Sequence, residues 1–320
     1  MMTSNCTAVT EFLLLGFSNA LGLHILHLAT FLIIYLAALI GYLFVITLIA
    51  IDSHLHTQTY FFLLNLSFLD IGSISVIVPK SMANAILNTR LISYSGCVTQ
   101  VFFFFFFIHS DLAILTLMSY DRYIAICKPL HYATVMNRRA CLLMAAAAWS
   151  PALLYSALHT GNTFRLLFCH SNIANQFFCE IPQLLRISGS EVFTSEIQII
   201  IFGAYLSAGC IVFIFVSYIQ IFTTVLRIPS EQGWHKAVST CLPHLIVVSL
   251  LASTALIAYM KTTSGNPSAL DLMLSVLYSM IAPMMNPVIY SMRNKDIKAA
   301  LWKLVRWRWF IPTKMSVILQ

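Results

Sequence analysis

The sequence predicts an all-α membrane protein, a seven-transmembrane helix bundle with its N-terminus outside and a short amphipathic interfacial helix near its C-terminus. Three observations predict it. Of 320 residues, 59% are hydrophobic and 9% are charged, with a mean hydropathy of +0.85, whereas an average soluble domain carries about 25% charged residues. So little charge cannot coat a water-facing surface, and lipid must solvate much of the chain. The charges that exist leave apolar intervals long enough to cross a bilayer, and Lys and Arg fall unequally on the two sides of those intervals. The same composition excludes disordered, collagen-like and disulfide-stapled classes. A formal net charge of +7 does not point to nucleic acid, because the basic residues sit at the ends of apolar runs and form no single stripe.

Each expected helix follows from a gap between charges, since an unpaired charge in hydrocarbon is costly and a span needs about 20 apolar residues. Nothing charged lies between Glu11 and Asp52, which places the first span at 24–50. The second, 57–85, contains an apolar run from Tyr60 to Pro79 whose one charge is Asp70. The third, 95–128, contains a run from Ile92 to Tyr120 whose one charge is Asp111. The gaps from Arg139 to Arg165, Glu196 to Arg227, Lys236 to Lys261 and Asp271 to Arg293 give spans at 139–160, 195–227, 236–260 and 269–292. These runs are continuously apolar, whereas barrel strands alternate with period two. The longest connection outside a helix is expected from Gly161 to Thr194. Beyond the bundle lie a cytoplasmic helix and tail, 293–320, where Ile297, Ala300, Leu301, Leu304 and Val305 recur at helical spacing among Lys295, Lys298 and Lys303.

An odd number of spans puts the termini on opposite sides. With the N-terminal segment 1–22 outside, 13 of the 18 Lys and Arg residues fall on the cytoplasmic side and 5 on the exterior, the bias expected of cytoplasmic loops. The first 22 residues contain no Lys or Arg, so the first span is expected to act as the insertion signal. A translocated N-terminus makes Asn5, in Asn5-Cys6-Thr7, a usable glycosylation acceptor. Cys6, Cys97, Cys169 and Cys179 fall on the exterior, where bridges form. A bridge from Cys97 to Cys179 would pin the long outer loop over the bundle mouth, but four cysteines allow three pairings and spacing does not choose between them.

Ionisable groups inside a membrane mark function by default, and here they are Asp70 and Asp111, with Asn286 as a polar neighbour in the last span. At 100° per residue, Phe104, Ile108, Asp111, Leu115 and Arg122 return to one stripe of the third helix. Only a bundle interior accepts such a face. If Asp70 and Asp111 meet, they would share a proton, hold a cation such as sodium, or form a hydrogen-bonded structural pair. No other cofactor is expected.

Met118 to Tyr132, containing Asp121-Arg122-Tyr123 and Cys127-Lys128-Pro129-Leu130-His131-Tyr132, closely resembles the signature of olfactory receptors, a branch of the rhodopsin-like G-protein-coupled receptors. Three further blocks agree: His54-Leu-His-Thr57 with Tyr60-Phe-Phe-Leu63, Lys236 to His244, and Pro283 to Lys295. The resemblance implies a receptor in the plasma membrane of sensory cilia, not an enzyme, that binds a small apolar odorant and activates a stimulatory, olfactory-type G protein to raise cyclic AMP. It implies the Cys97 to Cys179 pairing. It also implies an inner switch of Asp121, Arg122, Tyr123, Tyr218, Asn286, Pro287 and Tyr290. Odorant would meet Phe104, Phe105, Ile108 and His109 on helix three, Phe202 and Leu206 on helix five, and Ala255, Leu256 and Tyr259 on helix six. His109 lies some 200° around the helix from Asp111, so it has helix four or five as an alternative neighbour.

The chain departs from the family pattern at four places. Gly189 replaces a loop cysteine, leaving Cys169 without its expected partner. Tyr42 stands where an Asn normally follows Gly41, Gln58-Thr59 replaces Pro-Met, and Leu251-Ala252 replaces an aromatic pair. An inward Tyr42 is expected to overpack the bundle, so that Tyr42→Asn would raise surface expression. The competing class is a proton-coupled transporter or intramembrane enzyme using Asp70 and Asp111. Against it, the sequence shows no paired broken helices, nucleotide loop or HExxH.

Overall fold

Hydrocarbon offers the backbone no partner except itself, so each long apolar run coils into helix. The computed structural model describes residues 9–14, 21–87, 89–166, 172–174, 176–188, 193–227, 231–262, 275–281 and 283–286. Helices one to six are Leu21–Ile51, Gln58–Ile86, Tyr94–Cys127, Arg138–Thr163, Phe193–Arg227 and Glu231–Thr262. Six helices among the described residues are long and apolar enough to cross a membrane. The seventh is described at Leu277–Ile281, a π-helical turn, and at 283–286. Asn5, Cys6, Cys169, Gly189, Pro287, Tyr290 and the expected C-terminal helix lie outside the described residues, as do the side chains of Ala255 and Tyr259.

Helix three is the hub, packing against helices two, four, five and six. Two apolar layers surround it. One runs from Leu48 and Leu66 through Ile114 and Met118 to Ile221 and Cys241, at the end that carries Arg122. The other gathers Phe12, Ile77, Phe104, Phe178 and Leu184 at the end that carries Cys97. Helix ends are capped locally: the Ser93 hydroxyl accepts from Gly96 N at 3.2 Å, and Asn137 Oδ1 accepts from Ala140 N at 2.9 Å.

The disulfide end holds structure that the expected long loop did not include. Strand β1, Glu11–Leu14, pairs antiparallel with β2, Leu91–Ser93, and parallel with β3, Ile173–Ala174. Helix four runs on to Thr163, and a separate helix occupies Ile181–Ser188, with Ile181, Leu184 and Ile187 buried. The expectation of a helix-free connection from Gly161 to Thr194 is corrected accordingly. The Cys97–Cys179 bridge joins this layer to helix three, with Cα atoms 5.6 Å apart.

Candidate functional site

At the arginine end, Asp121 and Arg122 are buried, and among the described residues no ion pair joins them. Asp121 turns away from its neighbour. One carboxylate oxygen accepts from the Thr59 hydroxyl at 2.7 Å, the other from the Tyr132 phenol at 2.8 Å. Burial and the adjacent Asp121 carboxylate push the Tyr132 phenol up, so it keeps the proton it donates. Arg122 is left to reach across the bundle, where its guanidinium donates to the Thr240 carbonyl of helix six. Beside that contact, His244 shares a 2.9 Å hydrogen bond with the Leu115 carbonyl, and its ring lies 5.7 Å from that of Tyr218, which is also buried. Helix six is thus fastened to helix three at two levels. Tyr123 is half-buried and carries Lys128 over its ring at 5.7 Å.

Thr59 and His244 were not named as site residues from the sequence. Thr59 stood out only as part of a departure from the family pattern, and His244 only as the end of a matching block. Residue type and spacing do not reveal a bond 62 or 129 positions away in the chain.

In the middle of the bundle, Asp70, Asp111 and Asn286 do meet. Asn286 Nδ2 donates to Asp70 at 2.8 Å, and both acids line a cavity of about 20 Å³ together with Ser73, Ser279 and Leu251. That is room for roughly one water-sized species. Asp111 Oδ1 and Asn286 Oδ1 are buried and have no hydrogen-bond partner among the described residues, and buried polar atoms ordinarily have one. The set is all oxygen, the donor type preferred by a hard cation. The residues therefore fit a sodium ion or a water carrying a shared proton. Tyr42 is buried against the same group, and its hydroxyl donates to the Pro283 carbonyl of helix seven.

Towards the disulfide, the residues expected to line an odorant pocket separate into two sets. Phe104 and Phe105 are buried, with Ile108 packed on the same layer. The Phe104 ring meets Phe178 edge-on at 5.3 Å, so the loop beside Cys179 roofs it. His109 is half-buried, shares a 2.8 Å bond with the Phe105 carbonyl and places its ring 4.5 Å from Tyr155 of helix four. Phe202, Leu206 and Leu256 are 57%, 45% and 64% exposed and belong to neither apolar layer. In exposure these three stand apart from the buried Phe104 and Phe105. Phe202 instead lies 6.5 Å from Tyr155, which packs over Gly203, where a Cβ would collide with its ring.

A buried polar strap close by was not anticipated. Glu196, on the first turn of helix five, is fully buried and accepts from Asn162 Nδ2 at 2.9 Å and from the Thr163 hydroxyl at 2.8 Å. Its other oxygen lies 2.9 Å from His159 Nδ1. The trace in the sequence was His159, Asn162 and Thr163 at helical spacing near the end of a span, opposite an acid that had served only as a charge boundary.

A hub helix with an arginine at one end and a disulfide to the second outer loop at the other, around a shared acid cavity, defines a rhodopsin-like seven-helix membrane receptor. The fold agrees: the crystal structure of squid rhodopsin matches with a TM-score of 0.70 over 92% of this chain and 89% of that chain, at 18% identity. The olfactory receptor family model matches residues 31–307. Human olfactory receptor 14A16 is 49% identical over 303 residues, covering 95% of this chain and 98% of the relative. Human olfactory receptor 14I1 is 49% identical over 300 residues, 94% and 96% respectively, and mouse olfactory receptor 5AR1 is 43% identical over 305 residues, 95% and 98%. The chain belongs to the olfactory receptor family, multi-pass proteins of the plasma membrane and not enzymes.

Proposed function

We propose that this chain is an odorant receptor whose arginine end faces the cytoplasm, where it engages a stimulatory, olfactory-type G protein and raises cyclic AMP. The observation that carries the reading is the contact of Arg122 with the Thr240 carbonyl. It ties helix three to helix six while Asp121 is occupied by Thr59 and Tyr132. A partner entering between these helices must displace a single charged side chain, and the freed guanidinium then faces that partner. This is a two-state element that a ligand at the other end can bias. The ligand class is small and mostly apolar, because the surface offered near Phe104, Phe105 and Ile108 is aromatic and aliphatic, with His109 as a polar handle.

In the acid cavity, Asp70, Asp111 and Asn286 would hold a sodium ion. The ion would supply positive charge that lets both carboxylates stay ionised in a closed bundle. Asp70, held by Asn286, orients helix two towards helix seven, and Asp111 brings the hub helix to the same point.

The test is a broad odorant panel on cells expressing the full chain, read by cyclic AMP, with sodium or choline in the medium. The reading predicts odorant-dependent cyclic AMP without solute flux, and a sodium dependence of basal signal that Asp111→Asn removes. Flux or turnover would support the transporter or enzyme class. Odorant response with no sodium effect would favour the shared proton.

A further inference from the structure

Where helices one, two and four approach one another at the arginine end, they enclose a groove of about 490 Å³ that the signalling machinery does not use. That volume is within the usual range for a specific ligand, about 300–1,000 Å³. Its two ends differ in chemistry. Towards the bundle middle the walls are apolar and open to lipid: Phe61 is half-buried, and Phe68 and Leu142 are 53% and 52% exposed. At the membrane boundary the groove ends among His56, Gln58 and Arg138. Arg138 is exposed, and Arg139 follows it on the same helix end. Of the acids at this end, Asp52 accepts from the His54 backbone N–H at 3.0 Å, and Asp121, behind Cys141, accepts from Thr59 and Tyr132. The mouth is therefore basic and polar, and the slot above it is apolar.

We infer that this groove holds one anionic phospholipid, its headgroup on Arg138 and Gln58 and an acyl chain along Phe61, Phe68 and Leu142. An amphiphile satisfies both ends at once, whereas a sterol brings no negative charge to the arginine and a free anion leaves the apolar slot unfilled. The inference rests on the proposed orientation: with the arginine end facing the cytoplasm, the groove meets a leaflet whose anionic lipids attract juxtamembrane cations. The site also has a route to the switch. Gln58 precedes Thr59, which holds Asp121, and Cys141 lines the groove one layer from the same carboxylate. A lipid seated there braces helices two and four where they position Asp121.

The full-length receptor, equilibrated in nanodiscs of phosphatidylcholine with a minority of phosphatidylserine and repurified in mild detergent, would be weighed with its retained lipid by native mass spectrometry. One retained phosphatidylserine per receptor, preferred over phosphatidylcholine, is expected. Arg138→Ala should lower that preference about fivefold, the effect of one cation near the membrane surface, and Arg139→Ala should leave it in place. Leu142→Trp, at an exposed position that accepts a larger ring without refolding the bundle, should reduce retention of both lipids. Equal retention of both lipids by the wild type would overturn the inference. So would equal losses from the two arginine variants, or unchanged retention in Leu142→Trp. Competition by glycerophosphoserine as strong as by the intact lipid, or displacement by cholesterol regardless of Arg138, would also overturn it.

Discussion

Tyr42 shows how one side chain can reverse an expectation drawn from a family pattern. It does face inward, as expected, yet the phenol is accommodated: the ring lies in the interior and its hydroxyl reaches the helix-seven backbone at Pro283. A shorter amide at this position would leave a void where the ring sits and would fall short of that carbonyl. Tyr42→Asn should therefore lower surface expression instead of raising it, by about 2 kcal/mol or more for a buried large-to-small change. Tyr42→Phe should cost about 1 kcal/mol for the lost hydrogen bond. Flow cytometry of an N-terminally tagged receptor checks both, and a gain with Tyr42→Asn would restore the overpacking view. Thr59 is the second case. Its hydroxyl donates to an Asp121 side-chain oxygen, a bond worth about 1 kcal/mol or more. Thr59→Val would release one oxygen of Asp121 to compete for Arg122, weakening the Thr240 contact. Basal cyclic AMP should rise severalfold at matched surface level while Thr59→Ser stays at the wild-type level; no rise in the valine variant would remove Thr59 from the switch.

Between elements, a buried polar strap joins helix four to helix five near the disulfide end. Glu196 satisfies Asn162 and Thr163 and lies against His159, so removing it strands several buried polar groups at once. Glu196→Ala should cost about 3–5 kcal/mol and abolish surface delivery. Glu196→Gln, which keeps an acceptor for Asn162 and Thr163, should retain part of it. If both variants reach the surface at wild-type level, the strap contributes nothing to folding. The helices themselves were legible because charge gaps and hydrocarbon thickness share one length scale: helices three, four and five begin and end close to a charged residue, whereas helix one starts at Leu21, well inside the gap after Glu11. The outer layer was not. Strands of four, three and two residues are too short to show a period, and β1 finds its partners 80 and 160 positions away in the chain. The helix Ile181–Ser188 had a periodic trace in Ile181, Leu184 and Ile187, but eight residues inside a loop do not separate helix from chance.

For the molecule as a whole, the candidate site was half legible. Asp70, Asp111, Asn286 and Arg122 declared themselves because polar groups in hydrocarbon are rare and must face inward. The groups that hold Asp121 and Arg122 did not, since Thr59, Tyr132 and the Thr240 carbonyl are ordinary groups that gain a role only by being folded beside a charge. Which face Phe202, Leu206 and Leu256 turn was not legible, because an apolar residue suits lipid and pocket equally well, and helix rotation is set by packing that one sequence does not display. What remains is a receptor bundle in which Arg122 and His244 join helix three to helix six at the arginine end. The most direct measurement of that account is odorant-evoked cyclic AMP, compared between wild type and Arg122→Ala at equal surface density and with odorant binding measured in parallel. The account predicts that Arg122→Ala binds odorant with unchanged affinity and produces no cyclic AMP; signalling at full efficacy from that variant would contradict it.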